Sequence, residues 1–337
     1  MLSNKYPREF WARHAHLSGE QFARVIDTDG GSARALIRKA KADKNLCDLW
    51  GIDPETLDVE NEVDDTLRGF DLLLPPDVGP AILVYDIENS PNLAWVWGAY
   101  DQNVIAMEQD WYMLSFAYKW LNTDKIGFVS IFQDPEFVTD TDNDRYVAER
   151  LAALFDRADT LVAHNGDKFD RRKSNQRFLY WGIDPPSPYT TIDTLKVAKR
   201  EFAHASNALK ELGRVHELGD KTHHTGFELW RECMKGNPTF WAVMEKYNRQ
   251  DVVLLEQVYT KLLPWVNGPG KANHLNFGFW YKGEMVCPTC GHDKLTQKGT
   301  HRTLVSEFPS YQCDRCRSFS RFRTRTPQTS DTRVQLV

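Results

Sequence analysis

The chain has 337 residues, of which 41% are hydrophobic and 26% charged, with a formal net charge of -5. That length suits about two domains of roughly 150 residues each, and the composition excludes a wholly disordered chain. No run of about 18 apolar residues occurs, which excludes a membrane-spanning helix in the sequence, and the acidic total excludes a uniformly basic nucleic-acid coat.

Residues 1–75 read as a helical N-terminal region followed by an acidic linker. "SGEQFARVI" (Ser18 to Ile26) begins with a helix cap, "DTDGG" breaks the helix, and "SARALIRKAKADK" (Ser32 to Lys44) starts a second one with a basic face. The pair is either a helix-turn-helix that binds DNA or a packed helical hairpin. "DPETLDVENEVDD" (Asp53 to Asp65) has little apolar periodicity and reads as solvated linker. The opening "MLSNKYPREFW" lacks the apolar core of a secretory signal, so the expected location is cytoplasmic.

Residues 80–266 alternate strand and helix patterns. "AILVYDIE" (Ala81 to Glu88), "LAWVWGAY" (Leu93 to Tyr100) and "KIGFVSIF" (Lys125 to Phe132) are rich in β-branched and aromatic residues and predict strands. A helix is expected over Asp144 to Ala158, a strand over Asp159 to Asn165, a helix over Lys168 to Trp181, a strand near Thr190 to Thr194, and helices from there to Leu263. Strands first and then alternation imply an α/β unit, a mixed sheet flanked by helices. Residues 283–323 form a small cysteine-held unit, and residues 324–337 a flexible tail. From Gly268 to Val337 eleven Lys/Arg face five Asp/Glu, a basic excess able to meet phosphates.

Within the first of these strands, Asp86 and Glu88 are two residues apart and share a face. Two carboxylates converging there suit a hard divalent cation such as Mg2+ or Mn2+; otherwise one acid is exposed and the other caps the turn at "ENSP". Further acids weigh against the second alternative. Asp170 in "HNGDKFD" falls at the start of a helix that follows a strand, and Tyr247 and Asp251 are four apart on one face of a late helix. Asp193 in "TIDTL" is a further acid, structural or peripheral to the site.

These motifs resemble those of the DEDD family of 3'-5' exonucleases, in the subclass that carries tyrosine in its third motif. The family pattern of DxE, N-x3-F-D and Y-x3-D matches Asp86 to Glu88, Asn165 to Asp170, and Tyr247 to Asp251. More narrowly, the run from "DIENSP" through "TIDTLKVAKR" and "HTGFELW" to "YNRQDVVLLEQVY" is similar to bacteriophage-encoded ribonuclease-H-like exonucleases. The resemblance implies a ribonuclease-H-like fold, two Mg2+ or Mn2+ ions and DNA as substrate, with RNA as an alternative and replication or repair proteins as partners. It also implies substrate contacts from Asn89, which stands where the family usually has threonine, and from Asn165. Endonuclease action within the same superfamily and a non-catalytic DNA-binding role are the competing functions.

Phosphodiester hydrolysis needs an activated water, in-line geometry and neutralisation of the leaving oxygen, and two cations about 3.5 to 4 Å apart supply all three. Asp86 is expected to bridge both ions, Glu88 and Asp170 to complete their shells, and Asp251 to bind the ion that carries the water. Tyr247, with an ordinary pKa of about 10, is expected to orient that water through its hydroxyl rather than act as base.

Cys287, Cys290, Cys313 and Cys316 form two CxxC pairs separated by twenty-two residues. The spacing predicts one structural Zn2+ in a zinc ribbon, a redox pair being the alternative. Arg317, Phe319, Arg321 and Arg323 follow, and such alternation of cations and rings suits phosphates and unpaired bases, or else forms a solvated basic edge. Cys47 and Cys233 read as isolated thiols. His223 and His224 read as solvated, and no phosphate-loop spacing is present.

Overall fold

A computed structural model of the protein describes residues 69–76, 79–101, 103–137, 140–219, 226–266, 276–281, 285–303 and 306–324. The expected N-terminal helices, the acidic linker, Cys47, His223, His224 and the tail beyond residue 324 lie outside these residues.

The central element is a five-stranded mixed sheet. β1 (Ile82–Asn89) lies between β4 (Met113–Trp120), its antiparallel partner, and β6 (Thr160–Ala163), its parallel one. β5 (Gly127–Ser130) extends the antiparallel side and β7 (Thr190–Asp193) the parallel side. Around the sheet run α1 (Arg145–Arg157), α2 (Asp170–Tyr180), α3 (Thr194–Glu201), α4 (Leu209–Val215), α5 (Phe227–Met234) and the long α6 (Pro238–Val266). This matches the expected α/β class.

Because side chains alternate along a strand, β1 feeds two cores. Leu83, Tyr85 and Ile87 pack on one side with Leu151 and Phe155 of α1 and Phe178 of α2. Ile82 and Val84 pack on the other with Val197 of α3, Leu212 of α4 and Val252, Leu255 and Val258 of α6. Asp86 and Glu88 continue this second set, so the period of the strand alone directs both acids toward α6.

Two segments differ from expectation. "MLSFAYKW" forms the interior strand β4, although its pattern does not announce a strand: it is buried on both faces, which removes the alternation, and Lys119 interrupts it. Lys119 pairs with Glu256 of α6. Conversely, only Leu93–Trp95 of "LAWVWGAY" is a strand; this β2 pairs with β3 (Ala106–Gln109) in a two-stranded hairpin separate from the main sheet. Its β-propensity is expressed only in the pairing with β3 among the described residues.

One buried ion pair fixes α2. The Asp144 carboxylate, fully buried at the start of α1, accepts two bonds from Arg177 (2.6 and 2.7 Å), one from Trp181 Nε1 (2.6 Å) and one from the Met113 amide (2.7 Å). Four charge-assisted donors satisfy a carboxylate that burial would otherwise penalise. Gly127 meets a different demand, since a Cβ there would lie 2.1 Å from the Tyr118 ring.

The C-terminal unit is a three-stranded antiparallel sheet of β8 (Leu295–Arg302), β9 (Glu307–Cys313) and β10 (Phe319–Arg321). It meets the α/β unit near Phe277, which packs with α6 residues, and Arg315 reaches Asn122 at 3.5 Å.

Candidate active site and cysteine centre

Asp86, Glu88 and Asp251 come together although 165 positions separate the first from the last: one carboxylate oxygen of each lies within 4.8 Å of the others. β1 supplies two of them through its period of two, and α6 crosses beneath and supplies the third. Negative charges so close repel by roughly 3 kcal/mol per pair at an effective dielectric constant near 20, a cost that a bound dication removes. Three convergent hard oxygens therefore fit Mg2+ or Mn2+, the chemistry expected of Asp86 and Glu88.

Tyr247 lies one helical turn before Asp251, 7% exposed. Burial raises its phenol well above the usual range, and the charges of Glu88, Asp251 and Asp86 raise it further. The hydroxyl therefore stays protonated and shares a hydrogen bond with the Asp251 carboxylate, which adds to the rise. Trp230 of α5 packs edge-on against the ring, with centroids 5.9 Å apart, and fixes its tilt.

Asp170 stands apart from the three clustered oxygens. It is the first residue of α2, and its Oδ1 accepts from the Ile87 amide at 3.4 Å, beyond the point where β6 stops pairing with β1. Burial pushes its pKa up to about 7, with the charge of Asp193 adding to the rise and the Ile87 amide opposing it. It thus touches the backbone between the two strand acids from the α2 side, without joining the cluster among the described residues.

Asp193 is a structural cap. Its Oδ1 accepts from Leu195 and Lys196 at the start of α3 and from the Asn165 amide at 2.9 Å, which holds the loop leading to Asp170. Asn165 has φ of 66°, a left-handed turn that asparagine tolerates, so its backbone shapes that loop. Asn89 sits at a register shift after Glu88, and both polar atoms of its side-chain amide are buried with no hydrogen-bond partner.

Sequence reasoning missed Asn248. Fully buried on α6, it donates to Asp86 Oδ2 at 3.0 Å and to the Asp86 carbonyl at 3.3 Å, and its Oδ1 accepts from Ser115 of β4 at 3.3 Å. One amide thus ties α6, β1 and β4 together at the carboxylates. The available signal was its position next to Tyr247, on the helix face that turns toward the sheet.

The four expected cysteines also converge, their sulfurs all within 4.8 Å, with Cys287 to Cys316 at 3.6 Å and Cys290 to Cys313 at 3.7 Å. A tetrahedron of Zn–S bonds of about 2.3 Å sets its sulfurs about 3.8 Å apart, so the donor set fits zinc. Arg317 donates to Gln312 at 3.0 Å, Arg321 lies over the Phe308 ring at 4.2 Å, and Arg323 and Phe319 are exposed. Cys233, by contrast, is a buried core thiol.

Among the described residues no helix is long and apolar enough to cross a membrane. No curated protein matches the chain. Of solved structures, the family B DNA polymerase from the hyperthermophilic archaeon Pyrobaculum calidifontis is similar over 57% of this chain, at 13% identity and a TM-score of 0.38. The chain spans 26% of that polymerase, and a likeness this slight carries no functional weight. Residues 108–263 match the family model described as RNase_H superfamily, a span that holds Asp170, Tyr247 and Asp251 and begins after β1. The five-stranded mixed sheet and its flanking helices are consistent with an RNase H-like fold over the matched residues.

Proposed function

We propose that the protein is a metal-dependent 3'-5' exonuclease of the tyrosine-bearing DEDD type, hydrolysing phosphodiester bonds of DNA. The observation that carries this reading is the convergence of Asp86, Glu88 and Asp251 around a protonated Tyr247. Asp86, Glu88 and Asp251 would hold the divalent ions, joined by Asp170 once its proton is lost. When bound, such ions activate water and neutralise the leaving oxygen. Asn248 holds Asp86 in the orientation that faces its partners, and Tyr247 would orient the attacking water by a hydrogen bond through its hydroxyl. Asn89 and Asn165 would line the path of the terminal nucleotide. Cys287, Cys290, Cys313 and Cys316 would hold one structural Zn2+, and the basic ribbon edge with Arg317, Phe319, Arg321 and Arg323 would contact the strand. The resemblance to phage-encoded enzymes supports a role in phage DNA replication, repair or recombination.

The test incubates 5'-labelled single-stranded DNA with protein and Mg2+, beside Asp86→Ala and Tyr247→Phe variants. The expected result is a ladder shortened from the 3' end, abolished in Asp86→Ala and slowed about 10²-fold in Tyr247→Phe. A single internal cut would indicate an endonuclease, and full activity in Asp86→Ala would refute the site.

A further inference from the structure

Among the described residues, the two most exposed large hydrophobic side chains both belong to the β2–β3 hairpin, which begins a few residues after Glu88. Trp97 is 88% exposed and Tyr100 86%, with Trp95, Val104, Ile105 and Met107 exposed beside them. Isolated exposed apolar residues are ordinary, but a cluster dominated by aromatic rings marks a binding surface. The hairpin continues the β1–β4 pair past Glu88 and Asn89: Ser90 donates its amide to the Tyr112 carbonyl, and Tyr112 donates its amide to Ser90 Oγ, both at 2.9 Å. It therefore projects from the end of the sheet that bears Glu88. Trp95 Nε1 donates to Glu108 at 2.6 Å, so this ring is held in place across the hairpin before any partner arrives.

Charge distinguishes between occupants. At the hairpin base, Trp111 receives the Lys173 ammonium 3.5 Å from its ring centroid, and Lys173 also lies 5.2 Å from the Phe169 ring. Lys168, in the turn leading into α2, and Arg172, on its first turn, are exposed. The hairpin itself carries Asp101, Glu108 and Asp110 rather than cations. Rings on an acidic support and cations on the adjoining turn divide a partner into flat apolar groups and anions. Unpaired nucleic acid has that division, with bases that stack and phosphates that pair.

We infer that the β2–β3 hairpin is a stacking platform for an unpaired DNA strand: Trp97 and Tyr100 take successive bases, while Lys168 and Arg172 take the phosphates leading to the carboxylates. The assignment rests on the nuclease function proposed above and places the main strand contact here, in addition to the ribbon edge.

Binding is measured with the full chain by fluorescence anisotropy of a labelled twelve-nucleotide oligothymidylate, with Ca2+ in place of Mg2+. Trp97→Ala with Tyr100→Ala is expected to weaken binding about tenfold per ring. Lys168→Ala with Arg172→Ala is expected to lower the slope of log affinity against log salt by about 1.4. Both pairs alter exposed side chains and leave the core intact. Hydrolysis of p-nitrophenyl thymidine 5'-phosphate, which offers no neighbouring base, should be unchanged in the ring variants. If the wild type fails to hydrolyse this ester, the nuclease reading fails while the anisotropy still reports on the platform. Oligonucleotide affinity within twofold of wild type in the ring variant would overturn the inference. So would loss of self-association with that affinity retained, since the hairpin would then be a protein interface.

Discussion

Replacing Asn248 by leucine removes one amide from the centre of the site at nearly constant volume. Two effects follow from the geometry. The bond from Nδ2 to Asp86 Oδ2, 3.0 Å to a charged acceptor, is worth about 1.5 to 3 kcal/mol. Ser115, fully buried, loses the acceptor of its hydroxyl, which costs about 1 kcal/mol or more. Apolar burial of the leucine offsets part of the sum, leaving a net loss of about 3 kcal/mol in urea denaturation. The more informative quantity is metal affinity. Asp86 would turn freely away from Glu88 and Asp251, and loss of a partner outside the ligand set weakens binding by about 10- to 100-fold. Isothermal titration with Mn2+ measures this directly. Ser115→Ala breaks only the outer link and should leave Mn2+ affinity within about twofold of wild type. If Asn248→Leu loses stability yet binds Mn2+ as tightly as wild type, Asn248 is a packing strut and its orienting role is refuted.

Three further outcomes are expected. Asp144→Ala strands the Arg177 guanidinium in the core, which costs about 3 to 5 kcal/mol and should lower Tm by about 10 °C in a thermal melt, whereas an exposed pair such as Arg145 with Glu149 should shift it by about 1 °C. Asp170 is raised from 3.8 in the unfolded chain to about 7 in the metal-free fold, so the folded state holds an extra proton between these values. Its contribution to stability is complete below about 4 and is lost as pH rises through about 7, and Mg2+ affinity should climb with pH over the same window. Asp170→Asn should flatten both profiles in pH-dependent denaturation and titration. Elemental analysis should find one zinc per chain, and Cys313→Ser should release it and increase proteolysis within residues 285–324 while the circular dichroism of the helices persists.

The sequence determined more of the site than of the strand order. Strand periodicity alone places Asp86 and Glu88 on one face, helical periodicity places Tyr247 and Asp251 on another, and CxxC spacing names the four sulfurs, because each depends on residues a few positions apart. The helices over 144–158 and 168–181 and the strands at 81–88 and 159–165 were legible for the same reason. β4 was not, because a strand buried on both faces and interrupted by Lys119 has no period to read, and Lys119 is accommodated only by Glu256 from a distant helix. Nor could propensity tell that Leu93 to Trp95 would pair outside the main sheet, since propensity does not specify which strands meet. Tertiary structure alone decided that α6 crosses β1, that Asn248 joins three elements at the carboxylates, and that Asp170 accepts from the Ile87 amide between the two strand acids. Local chemistry is written in neighbouring residues; its assembly depends on contacts across 83 to 162 positions, which no local pattern encodes.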